Sequence, residues 1–504
     1  MNMNDPARLM RAACLAGVLL FGIAGTVRAG VESQIRSILT AADLRQTEVS
    51  VMAIDADTGQ TIVEINADAP MIPASNMKLV TTAAALRVLG PDFMFNTELN
   101  LVGNDPDAAT LVVVGDGDPS FGDPKMLAEH GYDVEQLLGA WVDAAKNAGV
   151  RRVGSLVIDD RVFDDQWVHP DWPVDQLNQW YCAQVSGLNF HDNCLDLYLE
   201  PGSAGHSPVV TMQPDSPFIE TLNRARTGDA DTFWVSRPMG SNRMTYRGEV
   251  KTRRTKPVHV TIDDPAMYFG QLLAHRLTRA GIAVNELRRP APMEEFAAAV
   301  TLHRIQSALP VVLTRCNKDS QNMFAEALLK RMGHRITSAP GTWASGAAAM
   351  RQFLHERLGP DGAAITIADG SGMSRDNRVT ARILAGLLVA MHRDETLGPQ
   401  FIETLSLGGE DGTLQRRFVR GMHGQVYGKS GYINQVSALS GYIVFTPEGD
   451  DDPSAATRTI VFSMLFNGFK PPIYNHRVKE VQNELVRLID ELTAPADTEV
   501  SFGG

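Results

Sequence analysis

The sequence predicts an α+β fold: an antiparallel five-stranded sheet flanked by helices, interrupted by a large, mainly β insertion. Three observations predict it. Near the start, two strand-like runs form a hairpin that leads directly into an alanine-rich helix. Near the end, three strand-like runs are followed by one amphipathic helix. Between these portions lies a long stretch of short apolar runs separated by Gly, Pro, Asp and Asn.

Taken in order, residues 1–29 read as a secretory signal peptide. Arg8 and Arg11 precede the apolar run Leu15 to Gly25, and Val27-Arg28-Ala29 supplies small residues at its end. The run is too short to span a bilayer, and no later stretch is long and uncharged enough, so no transmembrane anchor is expected. Export implies a secreted, periplasmic protein. Val31, Ile35, Ile38 and Leu39 have helical spacing. Glu48 to Ile54 and Thr61 to Ile65 are the hairpin strands, with Asp55-Ala-Asp-Thr-Gly59 at the turn.

Pro73-Ala-Ser75-Asn-Met-Lys78 then opens a helix that runs to Gly90-Pro91. Residues three apart share a helix face, so the Ser75 hydroxyl and the Lys78 amine can meet at its first turn. There the unpaired N–H groups and the positive dipole end favour an oxyanion. A serine becomes a nucleophile when a base takes its proton, and a desolvated lysine can be that base.

Residues 96–295 read as the insertion, as two sub-domains, with one helix from Val134 to Ala148 and another from Pro265 to Ala280. Leu287 to Phe296 reads as the linker back. The first domain then comprises 30–95 and 296–493, and 494–504 is a flexible tail. Gly424 to Lys429, Ala438 to Phe445 and Thr459 to Phe466 are the remaining strands. Val478, Val481, Leu485, Leu488, Ile489 and Leu492 form the stripe of the last helix.

Two further segments carry chemistry. Ser320-Gln321-Asn322 leads into a helical pattern; a serine there can relay a proton and an asparagine can bond both a lysine and a substrate carbonyl. Tyr427-Gly-Lys429-Ser430-Gly431-Tyr432 reads as a strand on which Lys429 and Gly431 share a face. Gly431 lacks the Cβ that would block a substrate alongside. Ser430 can bond a carboxylate, and Lys429 adds positive charge that favours a neutral Lys78.

The formal net charge is −13, and the leader's excess of arginine leaves the remainder more negative still. This disfavours nucleic acid and anionic membranes as partners. Cys182, Cys194 and Cys316 remain after the leader. Export permits a Cys182–Cys194 disulfide, worth ~3 kcal/mol if the geometry allows; three reduced, buried thiols are the alternative. There is no C-x-x-C or H-E-x-x-H, and Asp116, Asp118 and Asp123 lack EF-hand spacing, so no metal and no cofactor are expected. Gly115-x-Gly117 lacks the third glycine of a dinucleotide loop.

S-x-x-K, S-x-N and K-[ST]-G, in that order, form the three-part signature of penicillin-binding proteins and serine β-lactamases. The long interval between Ser75 and Ser320 resembles the S13 family of D-alanyl-D-alanine carboxypeptidase/endopeptidases, the penicillin-binding protein 4 type. Gly115-Asp-Gly-Asp-Pro119, Ala368 to Arg375, Gly412-Thr-Leu414 and Ala438 to Tyr442 are similar to that family too. Gln321 stands where Asp is more usual, and Ser430 where Thr is. The resemblance implies a β-lactamase/DD-peptidase-like fold and a serine hydrolase of peptidoglycan peptides. Ser75 would be the nucleophile, Lys78 the base and Ser320 the proton relay. Asn322, Lys429, Ser430, Gly431 and Tyr432 would bind substrate, with the Ser75 and Tyr432 N–H groups around the oxyanion. β-Lactams would acylate Ser75. The alternatives are a β-lactamase of the same fold and a non-catalytic wall-binding protein. No E-x-x-L-N stretch carries a deacylating glutamate.

Overall fold

The computed structural model describes residues 30–446 and 457–495. The leader at 1–29 lies outside these, as does all of the tail beyond Pro495.

The chain's two ends build one antiparallel sheet. Its order is Ser406–Leu407, Gln425–Ile433, Val436–Phe445, Arg458–Asn467, Glu48–Asp55 and Thr61–Ile65. Five of these strands are the five expected, and Ser406–Leu407 adds a sixth at the edge. At two residues it is too short to show alternation. The closure is long-range: Met52 lies opposite Ser463. Side-chain alternation explains why both faces are covered. Ile460, Phe462, Met464 and Phe466 enter a core shared with Ile35, Val481, Leu485 and Ile489 of the first and last helices. Val461 and Leu465 enter the opposite core with the helix Met77–Leu89 and its helical neighbours. That helix is buried on nearly every side, so its polar residues bond inward. Thr81 Oγ1 donates to the Gly370 carbonyl at 2.6 Å.

The inserted region centres on a mixed sheet. Ala109–Gly115 runs parallel to Arg152–Asp159 and antiparallel to Met94–Val102. The helices Val134–Asn147 and Pro265–Arg279 pack there around Phe121, Trp141, Phe190 and Phe269. Smaller sheets follow between residues 194 and 261. The stretch read as a linker holds the short strand Leu287–Arg288, paired with Arg152–Asp159. After it comes the nine-residue strand Val300–Ala308 against Met94–Val102. Thr301, His303, Arg304, Gln306 and Ser307 make this edge strand too polar to show an apolar period.

Candidate active site

Three segments distant in sequence meet at one end of the central helix. Ser75 lies in a single 3-10 turn, Ala74–Asn76, that feeds the helix starting at Met77. Asn76 ties this turn to the sheet. With its amide nitrogen toward the Lys429 carbonyl, it donates there at 2.8 Å and accepts from Ser440 Oγ at 2.7 Å. Ser320 occupies the link between helices Leu309–Lys318 and Asn322–Thr337 at φ 59°, a left-handed conformation costly for a non-glycine residue. Lys429 is on the strand Gln425–Ile433.

The contacts are specific. Lys78 Nζ lies 3.3 Å from Ser75 Oγ, 2.6 Å from Asn322 Oδ1 and 2.8 Å from the Ser371 carbonyl. A neutral amine has two N–H donors and one lone pair. Asn322 Oδ1 and the Ser371 carbonyl can only accept, so they take both donors and leave the lone pair facing the Ser75 hydroxyl. Burial lowers the Lys78 pKa to about 8, although nearby acidic groups pull it up. Lys429 Nζ donates to Ser320 Oγ at 2.9 Å and to the Ser430 carbonyl at 2.8 Å. Its pKa falls well below the usual lysine range, first through burial and then through the Lys78 charge. The two buried amines each lie below the ordinary lysine range, and acidic neighbours support the charge on Lys78.

Gly431 is buried, but its neighbour differs from the one expected. A Cβ there would lie 2.9 Å from the Ser75 nitrogen and 3.2 Å from Ala74 Cβ. The missing side chain therefore lets the strand approach the Ser75 turn. Ser430 is half-buried and Tyr432 half-exposed, both on the other strand face.

Several contributors carry no sequence signature. Asn322 Nδ2 donates at 2.8 Å to the carbonyl of Tyr181, from the inserted region. Glu326, one turn beyond Asn322, accepts from the Gly370 and Ser371 nitrogens and from Trp343 Nε1. It thereby fixes the loop whose carbonyl holds Lys78. Burial, with Asp369 nearby, raises the Glu326 pKa to about 7. Asp369 in turn accepts from Trp172 Nε1 at 3.0 Å and from the Gly372 nitrogen at 2.8 Å. The glycine-serine run Ala368 to Arg375 gave no hint that it would be pinned by two buried carboxylates.

Ser75, Ser320, Asn322 and Tyr432 line a cleft of about 770 Å³, with Gln176 and Tyr181 from the inserted region. A larger hollow of about 1270 Å³, lined by residues from Glu32 to Met71, contains none of these four residues. Cys182, Cys194 and Cys316 are all free and buried, so the Cys182–Cys194 disulfide is absent. Burial pushes the Cys182 and Cys316 thiols up to about 12, which leaves them poor nucleophiles.

The D-alanyl-D-alanine carboxypeptidase of Actinomadura sp. (strain R39) is 31% identical over 465 residues, spanning 88% of this chain and 82% of the relative. The D-alanyl-D-alanine carboxypeptidase DacB of Haemophilus influenzae is 23% identical, spanning 84% and 86%. The crystal structure of penicillin binding protein 4 (dacB) from Haemophilus influenzae superposes with a TM-score of 0.73. It shares 22% identity and covers 92% of this chain and 99% of its own. The same protein complexed with a β-lactam gives a TM-score of 0.67. The family model described as "D-Ala-D-Ala carboxypeptidase 3 (S13) family" matches residues 31–492, and with most of its length inside that match this chain belongs to that family of serine peptidases.

Proposed function

We propose that the cleft hydrolyses the D-Ala-D-Ala bond, or a peptide cross-link, of peptidoglycan stem peptides through an acyl-enzyme on Ser75. The observation that carries this reading is the buried Lys78 amine 3.3 Å from Ser75 Oγ, with Asn322 Oδ1 and the Ser371 carbonyl as its acceptors, which leaves the lone pair of its neutral form for the Ser75 hydroxyl. Lys78 takes the hydroxyl proton as Ser75 attacks the carbonyl. The oxyanion sits between the Ser75 and Tyr432 N–H groups, and two such donors contribute several kcal/mol to lowering the barrier. Ser320, hydrogen-bonded to Lys429, relays the proton that Lys78 took from Ser75 to the leaving amine. Ser430 holds the terminal carboxylate beside Lys429. Water then releases the acyl group. A β-lactam follows the first half of this path and leaves slowly. The signal-peptide pattern of residues 1–29 supports export to the periplasm, and among the described residues no helix is long and apolar enough to cross a membrane.

Ser75→Ala tests the reading. D-alanine release from a muropeptide and labelling by fluorescent penicillin should both fall by about 10³-fold or more, with an unchanged circular dichroism spectrum. Retained labelling would show that another residue is the nucleophile.

A further inference from the structure

The net charge of −13 conceals a segregated basic surface. Residues 216–258 carry nine arginines and lysines against four carboxylates. Strand alternation sorts them. On Arg243–Arg247, Met244 and Tyr246 are buried while Arg243, Thr245 and Arg247 face out. Beside it Glu220, Leu222, Arg224 and Arg226 face out, with Ala225 buried between the two arginines. Trp234 lies opposite Arg247, whose guanidinium rests 5.6 Å from its ring centre. This sheet and the adjoining strand pair, in which Arg226 lies opposite Glu249, therefore present four arginines near Trp234, 52% exposed, and Leu222, 47% exposed. Met239, on the adjoining turn, is 62% exposed. Arg243 pairs with Glu220. Among the described residues, Arg224, Arg226, Arg247, Lys251, Arg253, Arg254 and Lys256 have no carboxylate within ion-pair distance.

We propose that this face docks on an anionic phospholipid surface. The charge is complementary to lipid phosphates, which guanidinium groups bind in fork geometry. The apolar groups decide between polyanions. A polyphosphate chain offers nothing to Trp234, Leu222 and Met239, whereas a bilayer interface takes an indole ring and aliphatic side chains between its headgroups. Such docking would hold the enzyme near the membrane, while leaving the Ser75 cleft, built from other elements, untouched.

The test is flotation of the exported protein, purified after leader removal, with vesicles of phosphatidylcholine alone or doped with phosphatidylglycerol. Binding should require phosphatidylglycerol and weaken with salt. Arg224→Glu with Arg226→Glu should lower the affinity about tenfold or more. Trp234→Ser should lower it as well, and all variants should keep wild-type penicillin labelling, which reports an intact fold. Equal binding to both vesicle types, or affinity unmoved by the charge reversals, overturns the proposal. So does soluble polyphosphate binding as tightly as the vesicles with no effect of Trp234→Ser, which would make the face a polyanion site.

Discussion

At Lys78, hydrogen-bond bookkeeping and burial act together. The amine is fully buried, and its neighbours accept both protons of its neutral form. Its pKa is lowered to about 8, so below that pH the protonated amine has no lone pair for Ser75. Penicillin acylation should therefore rise with pH along a single limb whose midpoint lies near 8, followed by stopped-flow fluorescence; a flat profile from 6 to 9 would remove Lys78 as the base. Ser430 offers a separate check. Ser430→Thr retains the hydroxyl and should leave kinetics near wild type. Ser430→Ala should raise KM about tenfold for peptides with a free carboxylate, the worth of one charge-assisted hydrogen bond. Equal kinetics for Ala and Ser would leave this hydroxyl without a binding role. The identities of Ser75, Lys78, Ser320, Asn322 and Lys429 were legible because each short motif fixes functional groups at one turn or one strand. The Glu326 carboxylate was not, since a glutamate four residues along a helix from Asn322 looks like any solvated helix glutamate until the fold buries it.

At the scale of elements, the site depends on how closely the Lys429 strand approaches the Ser75 turn. Gly431 allows this contact, and Asn76 bridges it through the Lys429 carbonyl and Ser440. Gly431→Ala places a methyl group 2.9 Å from the Ser75 nitrogen and must push strand and turn apart. Acylation should slow by about 10- to 100-fold while the protein stays folded, because small misplacements of reacting groups are costly. A wild-type acylation rate would mean that the turn yields without harm. The central helix and the last helix were readable from their length and period. The strand Val300–Ala308 was hidden by its polar side chains, as its pairing comes from backbone bonds to Met94–Val102.

For the whole molecule, the inserted region is clipped to the helical core by buried charge. Lys330 of helix Asn322–Thr337 is fully buried; its amine donates to Asp164 Oδ1 and to the Gln166 carbonyl, both at 2.6 Å, above the Trp343 ring. Asp164→Ala leaves that amine without its counter-charge and should cost about 3 kcal/mol, read from urea unfolding. A loss under about 1 kcal/mol would mean that Lys330 is neutral in the fold or finds water instead. The same inserted region supplies the Tyr181 carbonyl that orients Asn322, so the clip and the Ser75 cleft share one helix. By itself the sequence determined the sheet-and-helix class, the order of the three motifs and the family resemblance, because these rest on local periods and short spacings. Only the tertiary structure decided which carbonyls saturate Lys78, which carboxylates pin the Ala368 to Arg375 loop, that the cysteines stay reduced, and that Arg224, Arg226, Arg243 and Arg247 come to lie around Trp234. Those outcomes depend on burial and on distances between residues far apart in the chain, which no local pattern encodes.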